Sequence, residues 1–329
     1  MLLIGIDEAG YGPLIGPLCH GYCAIRCPKP VDGIAPDLWR VMKPSVMRHP
    51  SRRGAITVDD SKRIYQAGAG MDLLRASVLA FLDCCPNAPS SSDLYQRLLP
   101  EADRLLIERD RWGLAPVLLE APPEVSCGPA PKKFKRRSKP VPPLKEMLAS
   151  AGLTVLAVGA RAMSASQFNQ ALQSSGNKAD VNWSVIVAEL QRLLALAAAA
   201  EDVYAVIDRQ GGRKFYASRI NHLFGGAMAW VEHETPYRSI YKVDDPLRTR
   251  RVAFLVNADG ETLPVALGSM AAKLARELCM QRLNAFFKSQ APDLKPTAGY
   301  YGDAGRFLRE THALRQKLAI DDAALIRRK

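Results

Sequence analysis

The sequence predicts an α/β fold in which a mixed sheet is flanked by helices. Two short, β-prone apolar runs, residues 2–6 (LLIGI) and 203–207 (VYAVI), each end in acid: Asp7-Glu8 after the first, Asp208 after the second. The second run, apolar along its length, reads as a buried parallel strand. Helical periodicity supplies the covering layers. A long helix is expected over 182–199, and another over 263–287, where Leu263, Leu267, Met270, Leu274 and Leu278 recur at helical spacing.

Taken in order, residues 1–27 read as two strands joined by a glycine-rich turn at 9–17 (Gly10, Gly12, then Pro13). Residues 28–56 are rich in Pro and Arg and read as irregular. The polar motif Asp59-Asp60-Ser61-Lys62 follows a short run at 55–58, and 70–83 reads as helix, with Leu73, Leu74, Val78, Leu79 and Leu82 on one face. An inserted region spans approximately 84–145. It holds a Pro/Ser-rich piece at 86–92, a helical piece around 94–111 and the basic run PAPKKFKRRSKPVPP at 129–143, which cannot pack a core and reads as a flexible loop. Helix at 144–150, a strand at 153–158 and helical turns at 164–174 precede the long helix. After Asp208 come helix at 214–224 and three alternating segments, 228–234, 238–243 and 251–257, that read as antiparallel strands. Asp259-Gly260 fits a hairpin turn. It equally fits the approach to the helix at 263–287, with Thr262 as N-cap and Pro264 in the first turn. The organisation expected is a catalytic domain over 1–290 and a helical, substrate-contacting C-terminal extension over 291–329.

The chain has 329 residues, 48% of them hydrophobic and 24% charged, as in a water-soluble globular protein. Its 45 Lys and Arg against 33 Asp and Glu give a net charge of +12, which points to a polyanionic partner. Seven cysteines are an odd number with no framework spacing, and Cys19, Cys23 and Cys27 along one strand face make a poor zinc cage. Reduced, buried thiols are expected. The most hydrophobic helical stretch, 190–200, contains Gln191 and Arg192 and is too short to span a bilayer. With no basic-then-apolar leader at the start, a cytoplasmic location and no membrane partner are expected. The five histidines are scattered, and none has metal-ligand spacing with another.

The acids carry the chemistry. Asp7, Glu8, Asp208 and Asp259 stand at element ends in three distant parts of the chain. If the first strand and 203–207 are parallel neighbours, their carboxyl ends lie side by side. Asp7 and Glu8 share that site only if the strand breaks there, since adjacent strand residues face opposite ways. A carboxylate cluster repels itself, and a hard divalent cation relieves it. Two such ions suit phosphodiester hydrolysis. A doubly wound nucleotide-binding enzyme fits poorly: Gly10, Gly12 and Gly16 are spaced G-x-G-x-x-x-G, two acids precede them, and no P-loop sequence is present.

These motifs resemble the type 2 ribonuclease H family, the bacterial ribonucleases HII and HIII. Residues 5–12, GIDEAGYG, match the family's opening G-[IS]-D-E-[AV]-G-[RTK]-G. Asp60-Ser61-Lys62 match its D-S-K. VYAVIDR, reaching Asp208, resembles its hydrophobic strand ending in Asp. Residues 267–273, LGSMAAK, resemble its A-S-[IM]-x-A-K helix, and counting back ten residues from Ser269 reaches Asp259. Gly299-Tyr300 resembles the later G-Y motif. A monomer is expected, and the resemblance implies a ribonuclease H-like fold and an endonuclease dependent on Mg2+ or Mn2+ in a two-metal site. It would cut the RNA strand of RNA–DNA hybrids, or at ribonucleotides embedded in DNA, leaving 3′-hydroxyl and 5′-phosphate ends. It makes Asp7, Glu8, Asp208 and Asp259 metal ligands and catalytic residues. Backbone groups of Gly10, Tyr11 and Gly12 would meet ribose 2′-hydroxyls. Ser61, Lys62 and Lys273 would hold phosphate, and Tyr300 would stack on a sugar. Three departures stand out: Tyr11 replaces the Arg usual in HII, Arg209 follows Asp208 where Gly is usual, and ADGETLP replaces G-D-A-K-S-P. Arg209 therefore either engages phosphate or crowds the site, and Glu261 rivals Asp259 as the last ligand. A catalytically weakened homologue that binds hybrid or structured nucleic acid is the alternative.

Overall fold

The structure is a computed structural model that describes residues 1–30, 34–50, 54–66, 70–110, 112 and 141–328. Nine strands are seen among them: β1 (Leu2–Ala9), β2 (Leu18–Arg26), β3 (Val46–Met47), β4 (Ile56–Thr57), β5 (Thr154–Met163), β6 (Val203–Asp208), β7 (Ala229–Glu234), β8 (Arg238–Val243) and β9 (Arg250–Leu255). Seven form one mixed sheet in the order β5-β2-β1-β6-β9-β8-β7, and β3 and β4 make a small parallel pair apart from it. β1 runs antiparallel to β2 and parallel to β6, and β6 is parallel to β9. The pairing of Ile6 with Ile207 sets Asp7 beside Asp208, as the strand reading requires. The strand does not break after Asp7, however, because β1 stays paired with β2 through Ala9, and Asp7 and Glu8 still line one cavity.

Both faces of the central strands are covered, which is why their sequences lack polar alternation. On one face Leu2, Ile4, Ile6, Val203, Ala205 and Ile207 pack with Ile186 and Leu190 of the helix Lys178–Leu194 and Ile220 of the helix Ala217–Leu223. On the other, Leu3, Cys19, Cys23 and Ile25 pack with Leu267, Met270, Leu274 and Leu278 of the long helix Leu263–Gln290. Cys19, Cys23 and Cys27 are buried free thiols.

Glycine lets the long helix lie directly on the strands. A Cβ on Gly21 would stand 1.8 Å from the carbonyl oxygen of Gly268, and one on Gly5 2.1 Å from the carbonyl carbon of Pro264. No side chain fits in either place, so the helix backbone touches β1 and β2 just below Asp7.

Several expectations shift. The antiparallel reading of 251–257 is half right, because β9 is antiparallel to β8 but parallel to β6. Asp259-Gly260 is no hairpin turn but part of the short helix Ala258–Glu261, entered through Asn257 in the left-handed region at φ 56°. Thr262 stands at the N-cap of the long helix, yet its hydroxyl makes no capping hydrogen bond. Most of the basic run 129–143 lies outside the described residues. The helices Leu94–Leu98 and Glu101–Arg109 of the inserted region put Tyr95, Leu98 and Ile107 into the main core.

Residues 291–328 return over the first turn. Phe307 of the helix Tyr301–Glu310 packs edge-on against Phe287, with ring centroids 5.1 Å apart, and Ile326 bridges to Ile15. Among the described residues no helix is long and apolar enough to cross a membrane.

Candidate active site

At the carboxyl ends of β1 and β6 lies a cavity of about 320 Å³, lined by Asp7, Glu8, Asp208 and Asp259. Gly10, Tyr11, Gly12, Ser61, Lys62, Lys273 and Tyr300 line it too. Five segments, remote in sequence, therefore converge as the motifs implied. Asp60, Asn257, Ser269 and Arg276 complete the wall. Glu261, the rival of Asp259, lines a neighbouring cleft beside Leu3, Trp39 and Val206.

Two of the acids are held by backbone amides. Asp7 Oδ1 accepts the Glu8 amide at 2.7 Å, and Asp208 Oδ1 accepts the Ala258 amide at 2.8 Å. The second bond ties β6 to the short helix that carries Asp259. The hydroxyl of Ser269 lies beside Asp7 and bonds Ser61 at 3.0 Å, coupling the long helix to the Asp60-Ser61-Lys62 motif.

The electrostatics are those of an uncompensated acid cluster. Burial raises the carboxyl pKa of Asp7, and the charges of Asp208, Glu8 and Asp259 raise it further. Glu8 is pushed up to about 8 by burial and then by Asp208, against relief from Asn182 and Lys62. Asp208 rises to about 6, again through burial first and Asp259 next, opposed by the Ala258 amide and Lys62. Asp259 is raised by burial and by Asp60. Glu8 Oε2 is buried with no hydrogen-bond partner. Oxygen donors alone, in a pocket short of positive charge, fit a hard divalent cation. Among the described residues no three His, Cys, Asp or Glu stand as a ready metal cage, so an ion has to draw the carboxylates inward.

The glycine turn is held from below. Gly10 has φ 85°, and a Cβ there would meet Arg276 Cδ and the Pro17 carbonyl, each at 2.8 Å. Arg276, 2% exposed, donates to the carbonyls of Ala298 at 2.9 Å and Pro17 at 3.3 Å. Arg327, also 2% exposed, donates to the carbonyls of Pro13 and Gly10. It is a buried clamp on the turn.

The cations differ in their freedom. Lys62 is exposed and faces the acids. Lys273 bonds Glu277 at 2.7 Å and lies 4.3 Å from the centroid of the Tyr65 ring. Tyr300 is half exposed at the cavity mouth. Arg209 is not among the residues lining the cavity. It donates to the Arg213 carbonyl at 2.7 Å and to the Pro236 carbonyl, bracing two loops beyond Asp208.

Sequence reasoning missed Arg276, Asn257 and Asn182. Asn182 is 1% exposed and hydrogen-bonds His20 of β2 and Glu8. A polar residue at a buried helical position is its signal, legible only once the helix face is known. Arg276 sits at a core-facing position of the long helix, where an apolar residue is expected.

The fold and cavity together define an α/β protein whose mixed sheet is flanked by helices and gathers carboxylates at the ends of adjacent parallel strands. The chain is similar along its whole length to solved ribonuclease HII and HIII structures. With the Archaeoglobus fulgidus RNase HII of a PCNA:RNase HII complex it shares 14% identity, over 100% of this chain and 95% of that one, at a TM-score of 0.42. With the ribonuclease H2 of Pyrococcus horikoshii OT3 the values are 13%, 99%, 92% and 0.39. With Bst-RNase HIII in complex with Mn2+ they are 14%, 99%, 66% and 0.43, so the chain spans just under two thirds of that protein. No family model matches the chain, and no curated protein matches it in sequence. At such identities the functional reading stands on this chain's own residues.

Proposed function

We propose that the protein is a metal-dependent endoribonuclease that cuts the RNA strand of RNA–DNA hybrids, or at ribonucleotides embedded in DNA, leaving 3′-hydroxyl and 5′-phosphate ends. One observation carries the reading: four acids from three distant segments line a single cavity with the glycine turn, Ser61-Lys62, Lys273 and Tyr300.

Asp7, Glu8, Asp208 and Asp259 would hold the ions. Bound Mg2+ or Mn2+ supplies a water of lowered pKa and positive charge beside the leaving oxygen. Around it the protein positions the substrate. The exposed ammonium of Lys62 and the hydroxyl of Ser61 hold the phosphate next to the acids. The turn at Gly10, Tyr11 and Gly12, with open space around Gly12, admits a ribose, whose 2′-hydroxyl distinguishes RNA from DNA. Tyr300 at the mouth stacks on a neighbouring sugar. Lys273 reaches phosphate only by loosening its pair with Glu277. In this reading residues 1–290 form the catalytic domain, 291–329 close the turn, and the protein works as a monomer in the cytoplasm.

The altered fourth motif, ADGETLP in place of G-D-A-K-S-P, favours a second reading, a weakened homologue that binds hybrids without cutting them. Three labelled duplexes separate the two: one embedded ribonucleotide, a block of four, and a full hybrid, each with Mg2+ and with Mn2+. Metal-dependent nicking of at least one, lost in Asp7→Asn, supports the enzyme. Activity persisting in chelator refutes it. Binding without cleavage, indifferent to Asp7→Asn, selects the second reading.

A further inference from the structure

The hairpin β7–β8 extends the sheet beyond β9; the helix Ala217–Leu223 packs on the hairpin's face opposite Asp208, and among the described residues no helix packs on its Asp208 side. Register fixes what that face presents. Asp208 pairs with Leu255, and Leu255 with Arg238, so Arg238 lies two strands from Asp208, about 10 Å away, on the same face. Two rows further down, Tyr204, Arg251, Lys242 and Trp230 follow one another across four strands. Their neighbours Tyr241 and Val243 point into the opposite core, which confirms the facing. Tyr204, Ile240 and Arg251 also line a cleft of about 410 Å³ at the edge of this surface.

The surface is aromatic and basic. Trp230 is 56% exposed, whereas Trp39, Trp112 and Trp183 are all below 10%. Arg238 and Lys242 are exposed and, among the described residues, make no ion pair. Arg251 pairs with Glu232 at 2.8 Å, the acid that faces it from β7. Arg238, Lys242 and Arg251 stand against Glu232 and, at the cleft edge, Asp202, which pairs with Lys29; around an exposed indole on a flat sheet they complement a polyanion with free π-faces. A duplex hides its bases from such a ring, and an unpaired strand offers them.

We propose that the Asp208-side face of the β8–β7 hairpin, beyond the part of β6 and β9 that Ala258 and Val265 cover, binds single-stranded nucleic acid, stacking a base on Trp230 and leading the backbone past Lys242 and Arg238 toward the carboxylate cavity. The inference rests on the nucleic-acid part of the reading above and not on cleavage.

The test uses the full chain and labelled, uncleavable (dT)20, with (U)20 in parallel to separate DNA from RNA, read by fluorescence anisotropy. Trp230→Ala is expected to weaken binding about fivefold or more, and Trp230→Phe to restore most of it, since stacking survives. Lys242→Ala should lower the slope of log affinity against log salt by about 0.7. Affinity unchanged in both Trp230→Ala and Lys242→Ala overturns the platform, even if hybrid cleavage is intact. Asp208→Asn, in contrast, should abolish cleavage and leave (dT)20 affinity in place. Light scattering that finds a dimer dispersed by Trp230→Ala would make the face a contact between two copies of this chain and would also overturn the proposal.

Discussion

Replacing Asp208 by Asn should make the metal-free protein more stable while removing its response to metal. The Asn side-chain oxygen keeps the acceptor for the Ala258 amide, so the bond between β6 and the short helix survives. What is lost is one negative charge from a buried cluster. The folded-state pKa of Asp208 rises from 3.8 to about 6. The native state therefore binds the proton more tightly than the unfolded chain. The associated stability is fully present below pH 3.8 and is lost as pH rises through about 6. Above that pH the ionised carboxylate costs about 3 kcal/mol at most, which Asn does not incur. At pH 5 the figure is about half as large. The assay is thermal unfolding in chelator at pH 8 and pH 5. Asp208→Asn should raise the melting temperature at pH 8 by up to about 6 °C and by less at pH 5. Adding Mg2+ should stabilise the wild type, through binding to the native state alone, and leave the variant nearly unmoved. A variant that melts below wild type at pH 8 without metal, or that gains as much from Mg2+, refutes the account of the cluster as a charge held for a cation.

Other outcomes follow from the same geometry. Gly21→Ala drives a methyl into the Gly268 carbonyl and should cost about 1–3 kcal/mol or more, seen as a lower denaturant midpoint; an unchanged midpoint would mean the helix does not rest on β2. His20, fully buried, has its pKa lowered to about 4, chiefly by burial, so it stays neutral in the native state. Stability should fall as pH drops from 6.5 toward 4, by about 3 kcal/mol from this group, and His20→Gln should lessen that acid sensitivity. Arg327→Lys keeps the charge but ends short of Nη2, the one nitrogen from which Arg327 donates to both the Gly10 and Pro13 carbonyls. Hybrid cleavage should drop about tenfold with little change in melting temperature, an expectation scaled to the sensitivity of catalysis to misplacement. Equal activity would sever the turn from the C-terminal segment.

The local features of this protein were legible in its amino acids because they depend on near neighbours. An unbroken apolar run ending in Asp7-Glu8 or Asp208 reads as a doubly covered strand, and leucines at helical spacing after Pro264 read as the helix that covers it. Even the pooling of the four acids follows once 2–6 and 203–207 are set side by side. Tertiary structure alone decided the rest. Asp259 enters the cavity and Glu261 a neighbouring cleft, because Asn257 turns the chain at a positive φ and the Ala258 amide docks on Asp208. Arg209 points away, because the Arg213 and Pro236 carbonyls lie within its reach. Arg276 and Arg327 became buried clamps because two segments from the far end of the chain fold over the first turn. In each case a side chain's role is set by which distant backbone groups surround it, and residue spacing carries no record of them.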